Sequence, residues 1–447
     1  MFFSFINLWC SKNLVDTQFL LWKILEKYSV DFFYYSDPFS KEVELVFLNT
    51  CWFISSWREE MFDTVEELLK KKKRVCLLWC AVQYFEKLVK ENKLSDDETK
   101  QWEILKGNDN VSFLSWNDVV NFSPEMLQNF KYVPSDYVWP EDARAYTNID
   151  FWYEYLKIAE WCNNQCAFCI IPKIRGKQVS QSIEKVIEDA QNLIQQGVKE
   201  IILIAQDSTR YWIDLYGKPQ LFELLEQLDK IDGDFKYRIL YLYPDLLTKQ
   251  HLKRLISLKK FIPYFDIPLQ HSSPKLLKAM GRFYDYEMSL EFIKYIRENF
   301  DGAFIRTNFI IGFPWESQED FDHLLDFIGK DYFDNIALFE YHDEPLAPSY
   351  QFADKLDEKI IRERFKKVSQ LWDKLSSKRR QKRRGKEFIW IISDIQEWKS
   401  WRGNSYIVRP ELVCPEIDEE DEIQDSDILE YLDEEVTMGS RIRYILS

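Results

Sequence analysis

Over the first 130 residues, short apolar runs such as ELVFLNT and RVCLLW alternate with polar-faced helical stretches, LVDTQFLLWKILEKY and REEMFDTVEELLKKKK. Period-2 or continuous apolar runs read as strands and 3.6-residue periodicity as helices, so the alternation predicts a small parallel α/β domain over residues 1–130. Its cysteines fall at strand ends. Residues 131–150 (YVPSDYVWPEDARAYTN at their centre) are irregular and proline-containing, which predicts a linker.

From Tyr153 the alternation restarts: strands at YEYLKIA, KEIILIA, YRILYLY, YFDIPLQ, AFIRTNFII and NIALFEY, with helices from Ser182, near LFELLEQL, from Tyr286 and from Gln318. Repeated βα units with apolar strands predict a partial, TIM-like (βα) barrel over residues 151–386, closed by a charged helix from about Asp357. In such barrels the chemistry gathers at the C-terminal strand ends, which here carry WCNNQC, QDSTRY, PLQHSS, GFPWES and EYHDE. Residues 387–447 (EFIWIISD, SYIVRPELV, RIRYILS) predict a small β-barrel. The fold class is therefore α/β with a β-rich C-terminal module.

Composition narrows the function. A chain of 447 residues with 46% hydrophobic content can bury two or three cores. A net charge of −16 argues against broad affinity for nucleic acid, which comes from lysine and arginine displacing counterions. The tail from Phe388 holds 5 Lys/Arg against 15 Asp/Glu, so it suits a basic protein partner better than phosphate. The basic run at Lys378–Lys386 reads as a solvated helix end. The N-terminal stretch lacks the basic lead-in and small-residue cleavage site of a leader, and no apolar run approaches a membrane span, so the expectation is a cytoplasmic protein without a membrane partner. Eight cysteines in a reducing compartment point to metal or redox chemistry.

Three of those cysteines, Cys162, Cys166 and Cys169, form C-x3-C-x2-C directly after a predicted strand. Three thiolates on one loop can hold three corners of a [4Fe–4S] cluster and leave the fourth iron open to a ligand. A closed zinc site needs a fourth Cys or His, and none lies nearby.

With the following IIPKIRG, this pattern resembles the radical S-adenosylmethionine superfamily, in which such a cluster chelates S-adenosylmethionine. The stretches around Cys10 (LWCSKN), Cys51 (NTCWF) and Cys80 (LLWCAVQ) resemble the N-terminal domain of the methylthiotransferases. The resemblance implies a second [4Fe–4S] cluster on those three cysteines; Cys76 and Cys414 match no position of the pattern and read as structural. IAQDSTRYWIDLYG, FDIPLQH and FEYHDEPLAPS resemble the branch acting on the twelfth protein of the ribosomal small subunit, and the tail resembles the TRAM module.

That resemblance implies methylthiolation of an aspartate β-carbon on a basic ribosomal protein, with an electron donor as a further partner. It implies cofactor contacts at Gln206 and Asp207, near the methionine end of S-adenosylmethionine, and at Gly312 to Glu316, near its adenine. Arg306 and Gln270 are inward-facing candidates, and His271 reads as structural. The rival readings are a transfer-RNA adenosine methylthiotransferase, a degenerate non-catalytic iron–sulfur protein, and a zinc-binding interaction module.

Glycine is scarce, at 12 residues, where average usage of roughly 7% gives about 31. Tryptophan stands at 16. Trp9, Trp52, Trp79, Trp161, Trp212 and Trp315 all occupy positions where the family pattern places glycine. Glycine is used where φ is positive or where backbone must approach a ligand, so six indoles at such positions conflict with the chemistry around them. The expectation is that a codon decoded as glycine in the source, UGA being one base from codons of both residues, appears here as tryptophan.

Overall fold

The computed structural model describes residues 1–8, 11–50, 55–127, 152–174, 176–383, 387–396, 405–410, 421–424, 428–431 and 441–445. Cys10, Cys51, Cys414, Trp9, Trp52 and the linker expected at 131–150 lie outside the described residues. The chain forms two compact units, one of Met1–Ile149, Glu160–Val179 and His342–Gln351, the other of Asp150–Ala159, Ser180–Tyr341 and Phe352–Ser447.

The first unit is built on a parallel sheet of β1 (Phe2–Leu8), β2 (Phe33–Tyr34), β3 (Leu45–Thr50), β4 (Arg74–Leu78) and β5 (Val111–Leu114), in the order β2-β1-β3-β4-β5. Register runs Phe3 to Leu45, Val46 to Val75 and Val75 to Val111. Every residue of β3 is buried, as a central parallel strand covered on both faces requires. The cover comes from α1 (Ser11–Tyr28), α2 (Ser55–Lys70), α3 (Trp79–Glu91), α4 (Asp96–Lys106) and α5 (Trp116–Val120). Helix α4 starts at a capping box: Ser95 Oγ accepts from Glu98 N–H, and the Glu98 carboxylate accepts from Ser95 N–H, both at 3.2 Å. Two orphan donors of the first turn are thereby satisfied.

The second unit carries a six-stranded, wholly parallel sheet. After β6 (Tyr153–Lys157), and past the short β7 (Ala159–Glu160), α6 (Ile171–Ile174) and β8 (Val179–Ser180), come β9 (Glu200–Ile204), β10 (Lys236–Ile239), β11 (Phe261–Gln270), β12 (Phe304–Ile311) and β13 (Asn335–Glu340). The order β13-β12-β11-β10-β9-β6 pairs each long strand with the next in the chain and leaves β6 and β13 as edges, the topology of a partial βα barrel. Helices α7 (Ile183–Gln195), α8 (Ile213–Tyr216), α9 (Leu221–Leu228), α10 (Lys249–Ile256), α11 (Pro274–Ala279), α12 (Tyr286–Asn299) and α13 (Gln318–Gly329) fall between the strands, and α14 (Glu358–Arg383) follows them.

The tail forms β14 (Glu387–Gln396), β15 (Ser405–Pro410), β16 (Asp421–Gln424), β17 (Ile428–Tyr431) and β18 (Arg441–Ile445). They make an antiparallel sheet in the order β16-β15-β14-β18-β17, which fits the β-rich module expected there. Among the described residues no helix is long and apolar enough to cross a membrane.

Candidate functional site

Cys162, Cys166 and Cys169 stand on the loop leading into α6, within the first unit. Cys162 and Cys166 are buried and Cys169 is half-buried. The loop has a fixed local form. Cys169 N–H donates to Cys166 O at 3.0 Å, Asn163 Oδ1 accepts from Gln178 N–H at 2.9 Å, and Ala167 O accepts from Ser349 N–H at 2.8 Å. Asn164 N–H lies 3.4 Å from Cys162 Sγ, the kind of backbone donor that stabilises a thiolate. Three soft donors on one turn fit an iron–sulfur cluster better than a hard cation. Among the described residues no three His, Cys, Asp or Glu side chains are grouped as they would be around a metal ion.

Cys80 sits in the first turn of α3, directly after β4, and is buried in the same hydrophobic cluster as Trp161 and Ile170 of the 162–169 loop region and as Leu346 and Ala347. Its Sγ is 3.6 Å from Asn13 Oδ1. Asn13 belongs to a buried polar patch in which Asn49 Nδ2 donates to Asn13 O at 2.8 Å and to Thr17 Oγ1 at 3.0 Å, and Thr17 Oγ1 donates to Asn7 Oδ1 at 2.6 Å. Sequence reasoning overlooked this patch. Its signal is an asparagine near the end of each of the first two apolar runs, in INL and FLNT. Cys76, by contrast, is fully buried mid-strand, and burial pushes its thiol up to about 12, so it stays protonated and makes a poor ligand.

In the second unit the expected cofactor residues cluster at strand ends. Gln206 is half-buried after β9, and Asp207 is buried beside it. The Asp207 carboxylate accepts from Thr209 N–H at 3.1 Å and pairs with Arg210 Nε at 3.1 Å, so it caps its own loop. After β12, Gly312 has φ +82°, and a Cβ there would come within 2.5 Å of Ile361 Cγ1. Its N–H donates to Glu316 Oε2 at 2.8 Å, while Glu316 Oε1 accepts from Arg364 Nη1 at 2.6 Å. Glu316 is thereby a buried anchor between the strand-end loop and α14. His271 is also buried: Nδ1 accepts from Ser273 N–H at 2.9 Å, and Nε2 lies 3.5 Å from Glu316 Oε2. Arg306 pairs with Asp266 at 2.9 Å, and Gln270 exchanges 3.4 Å contacts with Asn308.

Three of the four described tryptophans at glycine positions have left-handed backbone: Trp161 at φ 61°, Trp212 at 74° and Trp315 at 68°. Main-chain hydrogen bonds fix the last two. Trp212 N–H donates to Ser180 Oγ at 2.9 Å and its carbonyl accepts from Leu215 and Tyr216; Trp315 N–H donates to Asp354 O at 3.2 Å and its carbonyl accepts from Lys275 Nζ at 2.8 Å. A Cβ in this region costs about 1–2 kcal/mol. Trp79 differs, since it opens α3 and has no positive φ.

Comparing Trp→Ala with Trp→Gly removes the indole in both cases and isolates the Cβ. Glycine is expected to be the more stable by about 1 kcal/mol or more at 161, 212 and 315, and the less stable by up to about 1 kcal/mol at 79. Denaturant midpoints of the eight variants measure this. Alanine equal to or better than glycine at the three left-handed positions would remove the structural support for glycine there.

Residues 156–328 match the Radical SAM superfamily, and residues 3–98 match Uncharacterized protein family UPF0004. The chain is 35% identical over 410 residues to ribosomal protein uS12 methylthiotransferase RimO of Aquifex aeolicus, covering 91% of this chain and 88% of that one. It is 36% identical over 413 residues to the protein of the same name from Dictyoglomus thermophilum, covering 91% and 90%. Among solved structures, the radical S-adenosylmethionine methyltransferase TsrM from Kitasatospora setae aligns with a TM-score of 0.50 at 12% identity, over 78% of this chain and 74% of that one, a likeness of fold alone. With both cysteine-bearing regions inside the two family matches and this identity over nine-tenths of the chain, the chain belongs to the uS12 methylthiotransferase family within the radical SAM superfamily.

Proposed function

We propose that this protein methylthiolates ribosomal protein uS12, at the β-carbon of an aspartate. The observation that carries the reading is the 35% identity to a uS12 methylthiotransferase over 91% of the chain. Cys162, Cys166 and Cys169 would hold one [4Fe–4S] cluster, and Cys80 with Cys10 and Cys51 a second. When bound, the first would supply reductive cleavage of S-adenosylmethionine and so hydrogen abstraction at an unactivated C–H bond, the second would supply the sulfur, and a second S-adenosylmethionine would supply the methyl group.

The chain's own residues provide the frame. Asn164 N–H steadies a thiolate at Cys162 and Asn13 orients Cys80. Glu316, tied to Gly312 and Arg364, holds the β12 strand-end loop in shape, and that loop with Gln206 and Asp207 after β9 supplies the proposed cofactor contacts. The acidic tail suits a lysine- and arginine-rich ribosomal protein, an external reductant supplies electrons, and the cytoplasm is where both would be met.

Acceptor choice is the test. Anaerobically reconstituted protein is expected to form 5′-deoxyadenosine faster when uS12 is added and to show no response to transfer RNA. Stimulation by transfer RNA and not by uS12 would transfer the assignment to the RNA-modifying branch.

A further inference from the structure

Within the first unit, three buried polar side chains meet from distant parts of the chain. Arg58 of α2 places Nη1 at 3.0 and 2.9 Å from the two carboxylate oxygens of Glu344, and Tyr84 of α3 donates its hydroxyl to Glu344 Oε2 at 2.7 Å. Arg58 Nε reaches Glu98 of α4 at 3.0 Å, and the guanidinium lies 5.5 Å from the centre of the Tyr84 ring. Tyr84 is fully buried, and Arg58 and Glu344 are each over nine-tenths buried. Burial works against the charge on Arg58, but Glu344, Tyr84 and Glu98 outweigh it and hold the guanidinium above its usual range. Burial, and then Glu344, pushes the Tyr84 hydroxyl up, so it remains a donor.

The location gives the cluster its meaning. Tyr84 lies one helical turn beyond Cys80 on α3, so the two side chains share a face. Glu344 begins a tight turn, with Ala347 N–H donating to Glu344 O at 2.9 Å. Leu346 and Ala347 enter the cluster that buries Cys80 and Trp161, and Ser349 N–H then donates to Ala167 O, between Cys166 and Cys169. A second tie runs from Lys87 Nζ of α3 to Lys173 O of α6 at 2.6 Å. The 342–351 segment is thus fastened at one end to the helices around Cys80 and at the other to the three-cysteine loop.

We infer that Glu344 is a positioning residue which, latched by Arg58 and Tyr84, sets the register of the Cys162–Cys169 loop against the helix that carries Cys80. Resting on the two-cluster reading above, the latch fixes the separation across which a substrate radical must collect its sulfur. A loose latch would let S-adenosylmethionine be consumed without sulfur transfer, because a small misplacement of reacting groups costs far more in rate than in binding.

Glu344→Gln keeps the side-chain shape and removes the charge. Before any iron is added, hydrogen–deuterium exchange in residues 160–179 and 342–351 is expected to rise about tenfold or more, as loss of a charge-assisted hydrogen bond to a local opening predicts, while exchange in β9 to β12 stays unchanged. In the reconstituted enzyme the ratio of 5′-deoxyadenosine to methylthiolated uS12 is expected to rise severalfold at unchanged iron content. Should Glu344→Gln unfold, Tyr84→Phe removes the hydroxyl that donates to Glu344 Oε2 while retaining the ring, and a severalfold rise in exchange confined to the same two segments is expected. Unchanged exchange in both segments overturns the latch whether or not the wild type makes product. Raised exchange with an unchanged ratio overturns its part in coupling. A wild type that yields no methylthio product condemns the functional reading and leaves the exchange result to decide the latch.

Discussion

Alanine in place of Cys166, or of Cys162 or Cys169, is expected to abolish 5′-deoxyadenosine formation and to halve the iron of the reconstituted protein, from about eight to about four per chain. The three thiols share one short loop that is tied by the Asn163 side chain and by the Cys166 and Ala167 carbonyls, so the loop survives the loss of any single sulfur. What is lost is one corner of the proposed site, whose three cysteines are the only ones in the sequence of the 160–179 segment. Alanine at Cys80 is expected to leave S-adenosylmethionine cleavage in place and to remove the other half of the iron. Unchanged iron in the Cys166 variant would take this loop out of the site.

The second large effect falls on stability. Arg364→Met should destabilise the protein by about 3–5 kcal/mol, because it strands a buried carboxylate at Glu316. Arg364 bonds both the Glu316 side chain and its carbonyl, at 2.6 and 2.9 Å, and neither side chain is more than about a tenth exposed. Gly312 N–H at 2.8 Å and His271 Nε2 at 3.5 Å remain beside the carboxylate, and neither replaces the guanidinium. Denaturant unfolding measures the loss, and Arg364→Met combined with Glu316→Met should recover much of it, since a well-packed apolar pair can replace a buried ion pair at little cost. A single variant within about 0.5 kcal/mol of the parent would show the pair to be solvated in the working protein.

Local pattern made the elements legible. Apolar runs such as EIILI became buried parallel strands, and their ordering fixed the sheet of the second unit. The three-cysteine spacing named the superfamily because so few ligand sets share it. Contacts between distant segments escaped the pattern. Arg58 and Glu344 are 286 positions apart, and nothing in the spacing of either announces the other. Likewise, residues 160–179 and 342–351 pack with the first 149 residues to form one unit, which no reading along the chain conveys.

Glu316 and Asp207 illustrate a different limit. Their positions rested on the resemblance, and the structure adds local contacts that spacing does not convey: Asp207 caps its own loop, and Glu316 ties its loop to Arg364 of α14. The tryptophans went the other way. A compositional oddity predicted glycine, and the backbone at 161, 212 and 315 adopts the conformation that glycine tolerates best.

The most direct measurement is the mass of uS12 peptides after incubation with the reconstituted protein, S-adenosylmethionine and a reductant. One aspartate is expected to gain a single methylthio group in place of a hydrogen, with one 5′-deoxyadenosine formed for each modification. An unmodified uS12, from a preparation that carries its full iron and cleaves S-adenosylmethionine, would contradict the account.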